Sequence, residues 1–198
     1  MRYSVAGVLL AAGQGSRFGR PKALVEWDGQ TLAERGVTML RAGGADPVLL
    51  VTGAAEVKVD SAFIVYNEHW RTGMGSSLRA GLGALPPDAD AAVVALADQP
   101  LVGPESVARL IAAYQAGAGV AVAAYGGRPR NPVLLARGHW PEVIATATGD
   151  QGARAFLRAR PDLVTLVECG DTGRPDDIDT PADLDRVAGR QGRPPAPQ

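Results

Sequence analysis

The chain has 198 residues, a length that suits one sizeable domain and is short for two. Hydrophobic residues make up 46% and charged residues 21%, and the formal net charge is -1. This balance argues against a protein built to coat nucleic acid but leaves room for a local basic pocket. Cys169 is the only cysteine, which excludes an intrachain disulfide and a cysteine-based zinc cluster and fits a reducing cytoplasm.

Short apolar runs alternate with helical patterns. Val5 to Leu10 reads as a buried strand. The run behind Arg2 is short and leads into a loop carrying Arg17, Arg20 and Lys22, so it reads as part of the domain rather than as a secretion signal. Leu32, Gly36, Val37 and Leu40 follow helical spacing, with Gly43 and Gly44 as the stop. Val48 to Val51 and Phe63 to Tyr66 read as a second and a third buried strand. Leu78, Leu82 and Leu85 mark a helix stopped by Pro86 and Pro87. Ala91 to Ala97 is a fourth strand, and Val107, Leu110, Ile111 and Tyr114 form another helical stripe. Val120 to Ala124 and Pro132 to Leu135 read as two more strands. A helix through Ala153, Phe156 and Leu157 follows, then the strand Leu163 to Glu168. The last helix begins with Thr180 as N-cap and Pro181 at its first position, and Gly189 to Gln198 reads as a disordered tail. No stretch is apolar over a length that spans a bilayer.

This alternation predicts one three-layer α/β domain, residues 1–188, with a mostly parallel sheet and a ligand at the carboxyl ends of its strands. Three unusual segments are expected there: the loop around Gly13, the turn at Asp98 and the turn at Asp177.

The loop runs Leu10-Ala11-Ala12-Gly13-Gln14-Gly15-Ser16-Arg17-Phe18-Gly19-Arg20-Pro21-Lys22. Its glycines let the backbone turn and approach a ligand, and successive N–H groups in such a turn form an anion-binding concavity. Arg17 and Lys22 add positive charge, and Pro21 stiffens the segment that presents Lys22. The dinucleotide fingerprint would need glycine where Phe18 stands, and the Walker pattern fails because Lys22 follows Pro21 and precedes Ala23. The loop reads as a phosphate-binding loop outside those two classes, with a plain flexible strand-to-helix turn as the alternative.

The stretch from Leu10 to Leu24 resembles the signature of nucleotidyltransferases with a Rossmann-like α/β fold. Later segments narrow the likeness: Gly73 to Leu82, Leu96-Ala97-Asp98-Gln99-Pro100, Gly149 to Arg154 and Asp177-Ile178-Asp179-Thr180-Pro181. In that order they resemble the molybdenum cofactor cytidylyltransferases over nearly the whole chain. Ala12 points the same way, since the guanylyltransferase branch more often carries Leu-Ala-Gly-Gly at this place. Two departures stand out. Asn67-Glu68-His69-Trp70 lacks the proline of the family's Asn-Pro-x-Trp pattern, and Arg130-Asn131-Pro132 replaces its Gly-His-Pro.

An aspartate at the mouth of a buried strand, such as Asp98, serves equally as a turn residue or as a magnesium ligand shared with phosphate oxygens. The resemblance implies the metal role, and it implies Asp177, with Asp179 as second choice, for the second metal-binding position. Ser76 and Ser77 read either as helix caps or as part of the turn that holds base and ribose together with Asn67. Asp150 and Arg154 are spaced for an i,i+4 ion pair, whereas the resemblance places them near the acceptor. His69 and His139 have no convincing partner and read as surface or packing residues.

The implied reaction attacks the α-phosphorus of a triphosphate, with Lys22 steadying the α-phosphate, Arg17 the departing pyrophosphate, Mg²⁺ on Asp98 and Asp177, and Leu10, Ala11, Ala12, Gly13 and Gly15 lining the nucleotide. The resemblance implies CTP and molybdenum-molybdopterin as substrates and a molybdenum hydroxylase as eventual recipient. The rivals are a guanylyltransferase, a sugar-phosphate nucleotidyltransferase and a non-catalytic nucleotide- or cofactor-binding chaperone. Nucleic acid and membrane are not expected partners.

Overall fold

The computed structural model describes residues 3–191. In chain order the elements are β1 (Val5–Leu10), β2 (Glu26–Trp27), β3 (Gln30–Thr31), α1 (Leu32–Ala42), β4 (Val48–Thr52), β5 (Phe63–Tyr66), α2 (Met74–Gly83), β6 (Ala91–Leu96) and α3 (Pro104–Gln115). They continue with β7 (Val120–Tyr125), β8 (Arg128–Ala136), α4 (Trp140–Thr146), α5 (Arg154–Ala159), β9 (Val164–Glu168) and α6 (Pro181–Gln191). Seven strands form one sheet in the order β5-β4-β1-β6-β8-β7-β9, and β2 pairs with β3 in a separate hairpin.

Every pairing in the large sheet is parallel except those of β8, which runs against both β6 and β7. β1 and β6 are covered on both faces, so their sequences are continuous apolar runs rather than alternating ones. One core joins Leu9, Leu50 and Val93 to Val37 and Leu40 of α1 and Val107 and Leu110 of α3. The opposite core joins Val8, Val94 and Val122 to Leu78 of α2, Val143 of α4 and Phe156 of α5. The expected three layers are therefore present. A third, small cluster packs Val25, Trp27 and Leu32 against Val187 of α6, with Phe18 of the glycine loop and Leu101 beside it. The residue that breaks the dinucleotide fingerprint is thus an apolar anchor for the loop.

Several expectations are corrected. Phe63 to Tyr66 is not buried: β5 is a sheet edge, and Phe63 and Tyr66 are 68% and 62% exposed. β8 begins four residues before Pro132, because the Gly126-Gly127 turn folds it back onto β7. The β2–β3 hairpin and α4 fall in segments too short to carry a periodic signal. Residues 189–191 belong to α6 rather than to a tail, and 192–198 lie outside the described residues. Among the described residues no helix is long and apolar enough to cross a membrane.

Helix α1 opens with a capping box. Thr31 Oγ1 accepts from the Glu34 N–H at 3.2 Å, and the Glu34 carboxylate accepts from the Thr31 N–H at 2.7 Å. The Thr31 backbone and hydroxyl bonds hold the Glu34 carboxyl below its ordinary range. We expect Thr31→Ala to lower unfolding free energy by about 1 kcal/mol in urea titration at pH 7. The share that comes from the Glu34 carboxylate is fully present above the unfolded value of 4.5 and is lost as pH falls through the lower folded value, so the gap between the two proteins should narrow in acid.

Candidate active site

A cleft of about 740 Å³ opens at the carboxyl ends of β1 and β6. The glycine loop leaves β1 at Leu10, whose carbonyl accepts from the Ala97 N–H at 3.1 Å. The loop is tied on its other side by Ala54 N–H to the Ala12 carbonyl at 3.0 Å. Gly15 turns the chain, its carbonyl accepting from the N–H groups of Phe18 and Gly19 at 2.9 and 2.8 Å. Its φ is +63°, and a Cβ there would stand 2.0 Å from the Arg20 carbonyl oxygen. Gly19 also takes positive φ; Gly13 does not, and the space beside it is open. Leu10 through Arg17 line the cleft without a break.

Lys22 opens a short 3-10 turn, Lys22–Leu24, directly after Pro21. Its Nζ donates to Asp98 Oδ2 at 2.8 Å and to Asp179 Oδ1 at 2.7 Å. Burial disfavours the charge on Lys22, but Asp98 and Asp179 outweigh it and raise its pKa above the ordinary lysine value. Arg17 Nη1 donates to the other Asp179 oxygen, Oδ2, at 3.0 Å. The Lys22 bond holds the Asp179 carboxyl below its ordinary range.

Asp98 stands just past the end of β6, as expected. Asp177 does not sit at a strand end; it lies well beyond β9, in the segment that leads to α6. Two bonds carry it to the sheet: Ile178 N–H to the Asp98 carbonyl at 2.8 Å, and Gln99 Nε2 to Asp177 Oδ1 at 2.8 Å. Thr180 caps α6 as predicted, accepting from the Asp183 N–H at 3.3 Å, while Asp183 Oδ2 accepts from the Thr180 N–H at 2.8 Å.

Among the described residues no ion pair engages Asp177. Burial pushes its carboxyl pKa up, and the neighbouring Asp98 and Asp179 charges push it further, against the Gln99 bond and Lys22. Crowded carboxylates of this kind fit a cation between them. No set of three or more His, Cys, Asp or Glu forms a closed cage among the described residues. Two carboxylates with hard oxygen donors suit a divalent cation that prefers oxygen ligands.

Ser77 reaches the cleft wall, and Asn67 and Ser76 sit buried behind it. Asn67 Nδ2 donates to Ser76 Oγ at 2.8 Å and Ser77 Oγ at 3.0 Å, and its Oδ1 accepts from the His69 N–H. Neither serine caps α2, which starts at Met74 after Gly73. Asp150 and Arg154 both line the cleft, but they form no ion pair. Gly152, at φ +53°, breaks the helix between them, so Asp150 belongs to a separate 3-10 turn beside the Met74 N–H. His139 packs against Phe156.

Sequence reasoning missed the part played by Asp179, the Gln99 contact, and the Trp70 and Arg71 wall of the cleft. It also missed a second cleft, about 790 Å³, that shares Arg154 and Asp177 with the first. Its walls include Val122, Val133, Leu157 and Leu166, with Arg130 and Arg158 at its rim. Three arginines in segments already noted were the only signal for it.

A mostly parallel sheet covered on both faces, with a glycine loop at the mouth of the inner strand β1, is an architecture that nucleotidyltransferases share with other nucleotide-binding α/β proteins. Residues 7–164 match the family model of the MobA-like NTP transferase domain, and the chain belongs to this family. It is 39% identical over 197 residues to nicotine blue oxidoreductase of Paenarthrobacter nicotinovorans, covering 92% of this chain and 96% of that protein. The crystal structure of an Rv0371c homologue from Mycobacterium sp. strain JC1 superimposes with a TM-score of 0.84 at 31% identity, over 96% of this chain and 98% of that one. Rv0371c of Mycobacterium tuberculosis H37Rv in complex with manganese gives 0.76 at 27% identity, over 93% and 97%.

Gly15→Ala should weaken triphosphate binding about tenfold, because a left-handed φ and a blocked Cβ position cost roughly 1–2 kcal/mol in the loop. Calorimetric titration on protein that keeps its circular dichroism spectrum checks this; unchanged affinity would detach the loop from the ligand.

Proposed function

We propose that the chain is a metal-dependent nucleotidyltransferase that moves CMP from CTP onto a phosphate-bearing acceptor, molybdenum-molybdopterin, with release of pyrophosphate. The observation that carries this reading is the convergence of Lys22, Asp98 and Asp177 on one cleft whose floor is the glycine loop. An acceptor phosphate is already an anionic nucleophile at neutral pH, so no general base is needed. Its oxygen bonds to the α-phosphorus, the bond from that phosphorus to the bridging oxygen breaks, and pyrophosphate leaves with the electron pair.

Catalysis then rests on alignment and charge. The loop N–H groups and Arg17 hold the β- and γ-phosphates, Lys22 compensates charge on the α-phosphate, and Ser77 and its Asn67 support border the nucleoside. A divalent cation bound by Asp98 and Asp177 would neutralise phosphate charge and orient the α-phosphate. The second cleft supports the acceptor class. Apolar walls beneath an arginine rim suit a flat heterocycle with an anionic arm better than a sugar, whose hydroxyls would meet Val122, Val133 and Leu157. Arg154, shared by both clefts, would hold the acceptor phosphate toward Asp150 and the reaction centre. On this reading the chain works in the cytoplasm and supplies a molybdenum hydroxylase.

The long relationship to nicotine blue oxidoreductase favours a second reading, in which the same loop holds the phosphates of a reduced dinucleotide that delivers electrons to a dye. Phe18 in place of the fingerprint glycine weighs against it.

One screen separates the two. Pyrophosphate release is measured for four nucleotides crossed with molybdenum-molybdopterin and several sugar phosphates, beside NADPH oxidation with a quinonoid dye. We expect release with CTP and the molybdopterin, less with GTP, and loss of at least about 100-fold on Asp98→Ala. Wild-type release from Asp98→Ala would sink the metal assignment, GTP turnover equal to that with CTP would sink the nucleotide, and dye reduction alone would favour the second reading.

A further inference from the structure

Lys22 and Asp98 have conflicting duties. The proposed reaction needs Lys22 on phosphate and Asp98 on a metal, yet the ammonium sits 2.8 Å from Asp98 Oδ2. Asp179 is the second holder of Lys22, at 2.7 Å, and it differs from Asp98 in two respects. Its other oxygen is taken by Arg17 at 3.0 Å, so one carboxylate ties two of the three basic residues of the loop. Its backbone is fixed from the far side, the Asp179 N–H donating to Asp183 Oδ2 at 3.1 Å within the α6 capping box.

We propose that Asp179 is a positioning residue that keeps Lys22 and Arg17 in place for the triphosphate, and that Lys22 leaves Asp98, while keeping Asp179, when a divalent cation takes that carboxylate. The inference rests on the nucleotidyltransferase reading and extends it. The pivot on Asp179 spares Lys22 from a half-buried position with no counter-charge, a costly state. Metal entry frees Lys22 for phosphate, and phosphate drawing Lys22 away frees Asp98 for metal. The two ligands thus favour each other through one side chain, beyond any direct contact between them, and by linkage the effect is the same in both directions. Asp177 has no such part, because its Oδ1 is held by the neutral Gln99 amide.

The test compares substitutions that change charge equally but differ in whether they release the pair. CTP binding is followed by calorimetry in excess EDTA. Asp98→Asn and Asp177→Asn each remove one negative charge from the cleft, but only the first frees Lys22. We expect about tenfold tighter CTP binding for Asp98→Asn and less than about threefold change for Asp177→Asn. Mn²⁺ binding without nucleotide is followed by electron paramagnetic resonance. Lys22→Met should bind Mn²⁺ about tenfold tighter, and Arg17→Met within about threefold of wild type. Equal shifts within either pair would overturn the exchange, since charge alone would then account for them.

Asp179→Ala should weaken CTP binding in the presence of Mn²⁺ about tenfold and leave Mn²⁺ affinity within about threefold; Asp179→Glu should recover part of the CTP affinity. Loss of Mn²⁺ affinity as large as that of Asp177→Ala would make Asp179 a metal ligand and overturn its positioning role. If wild-type protein binds no CTP with or without metal, the nucleotidyltransferase reading falls and this inference with it. If CTP binds but the paired variants shift together, this inference alone falls.

Discussion

Three separated parts of the chain meet at the ammonium of Lys22. The glycine loop supplies the lysine, the end of β6 supplies Asp98, and the segment before α6 supplies Asp179. A half-buried ammonium needs counter-charge, and here it has two carboxylates from elements far apart in sequence. The surrounding bonds make this meeting possible. Ile178 docks on the Asp98 carbonyl, Gln99 takes Asp177, and the capping box of α6 fixes the backbone of Asp179. Phe18 and Val187 close the same junction with apolar contact. The small hydrophobic cluster beneath the loop is therefore as much a part of the site as the charges above it.

Most of the sheet was legible because its inner strands are covered on both faces and so appear as unbroken apolar runs. The same signal misled at Phe63 to Tyr66. Apolarity there marks an exposed edge, and nothing in a four-residue run tells a central strand from an outer one. Strand direction is likewise invisible to periodicity, although Gly126-Gly127, with φ of +59° and +73°, carried the composition of a tight hairpin turn that would have reversed β8.

The candidate site was legible where a residue's place in the cleft follows from its neighbours in sequence. The glycine loop, Lys22 behind Pro21, and Asp98 behind β6 are local patterns. The roles of Asp177 and Asp179 are not, because both belong to one short acidic stretch and differ only in what they meet across the fold. Gln99 meets one and Lys22 with Arg17 meet the other. The spacing of Asp150 and Arg154 suggested a surface ion pair for a similar reason: sequence distance implies a helix face only if the helix continues, and Gly152 interrupts it.

The single reversed strand, β8, has a further effect. It stands between β6, which leads to Asp98, and β7 with β9, whose residues wall the second cleft. The strands that lead to the glycine loop and Asp98 lie on one side of it in the sheet, and Val122 of β7 and Leu166 of β9 on the other. Only Arg154 and Asp177 serve both clefts. A lineage can therefore redraw the wall that β7 and β9 supply to accept a new molecule and leave the glycine loop, Lys22 and Asp98 untouched. One such scaffold can take on unlike chemistries by rebuilding only the far wall.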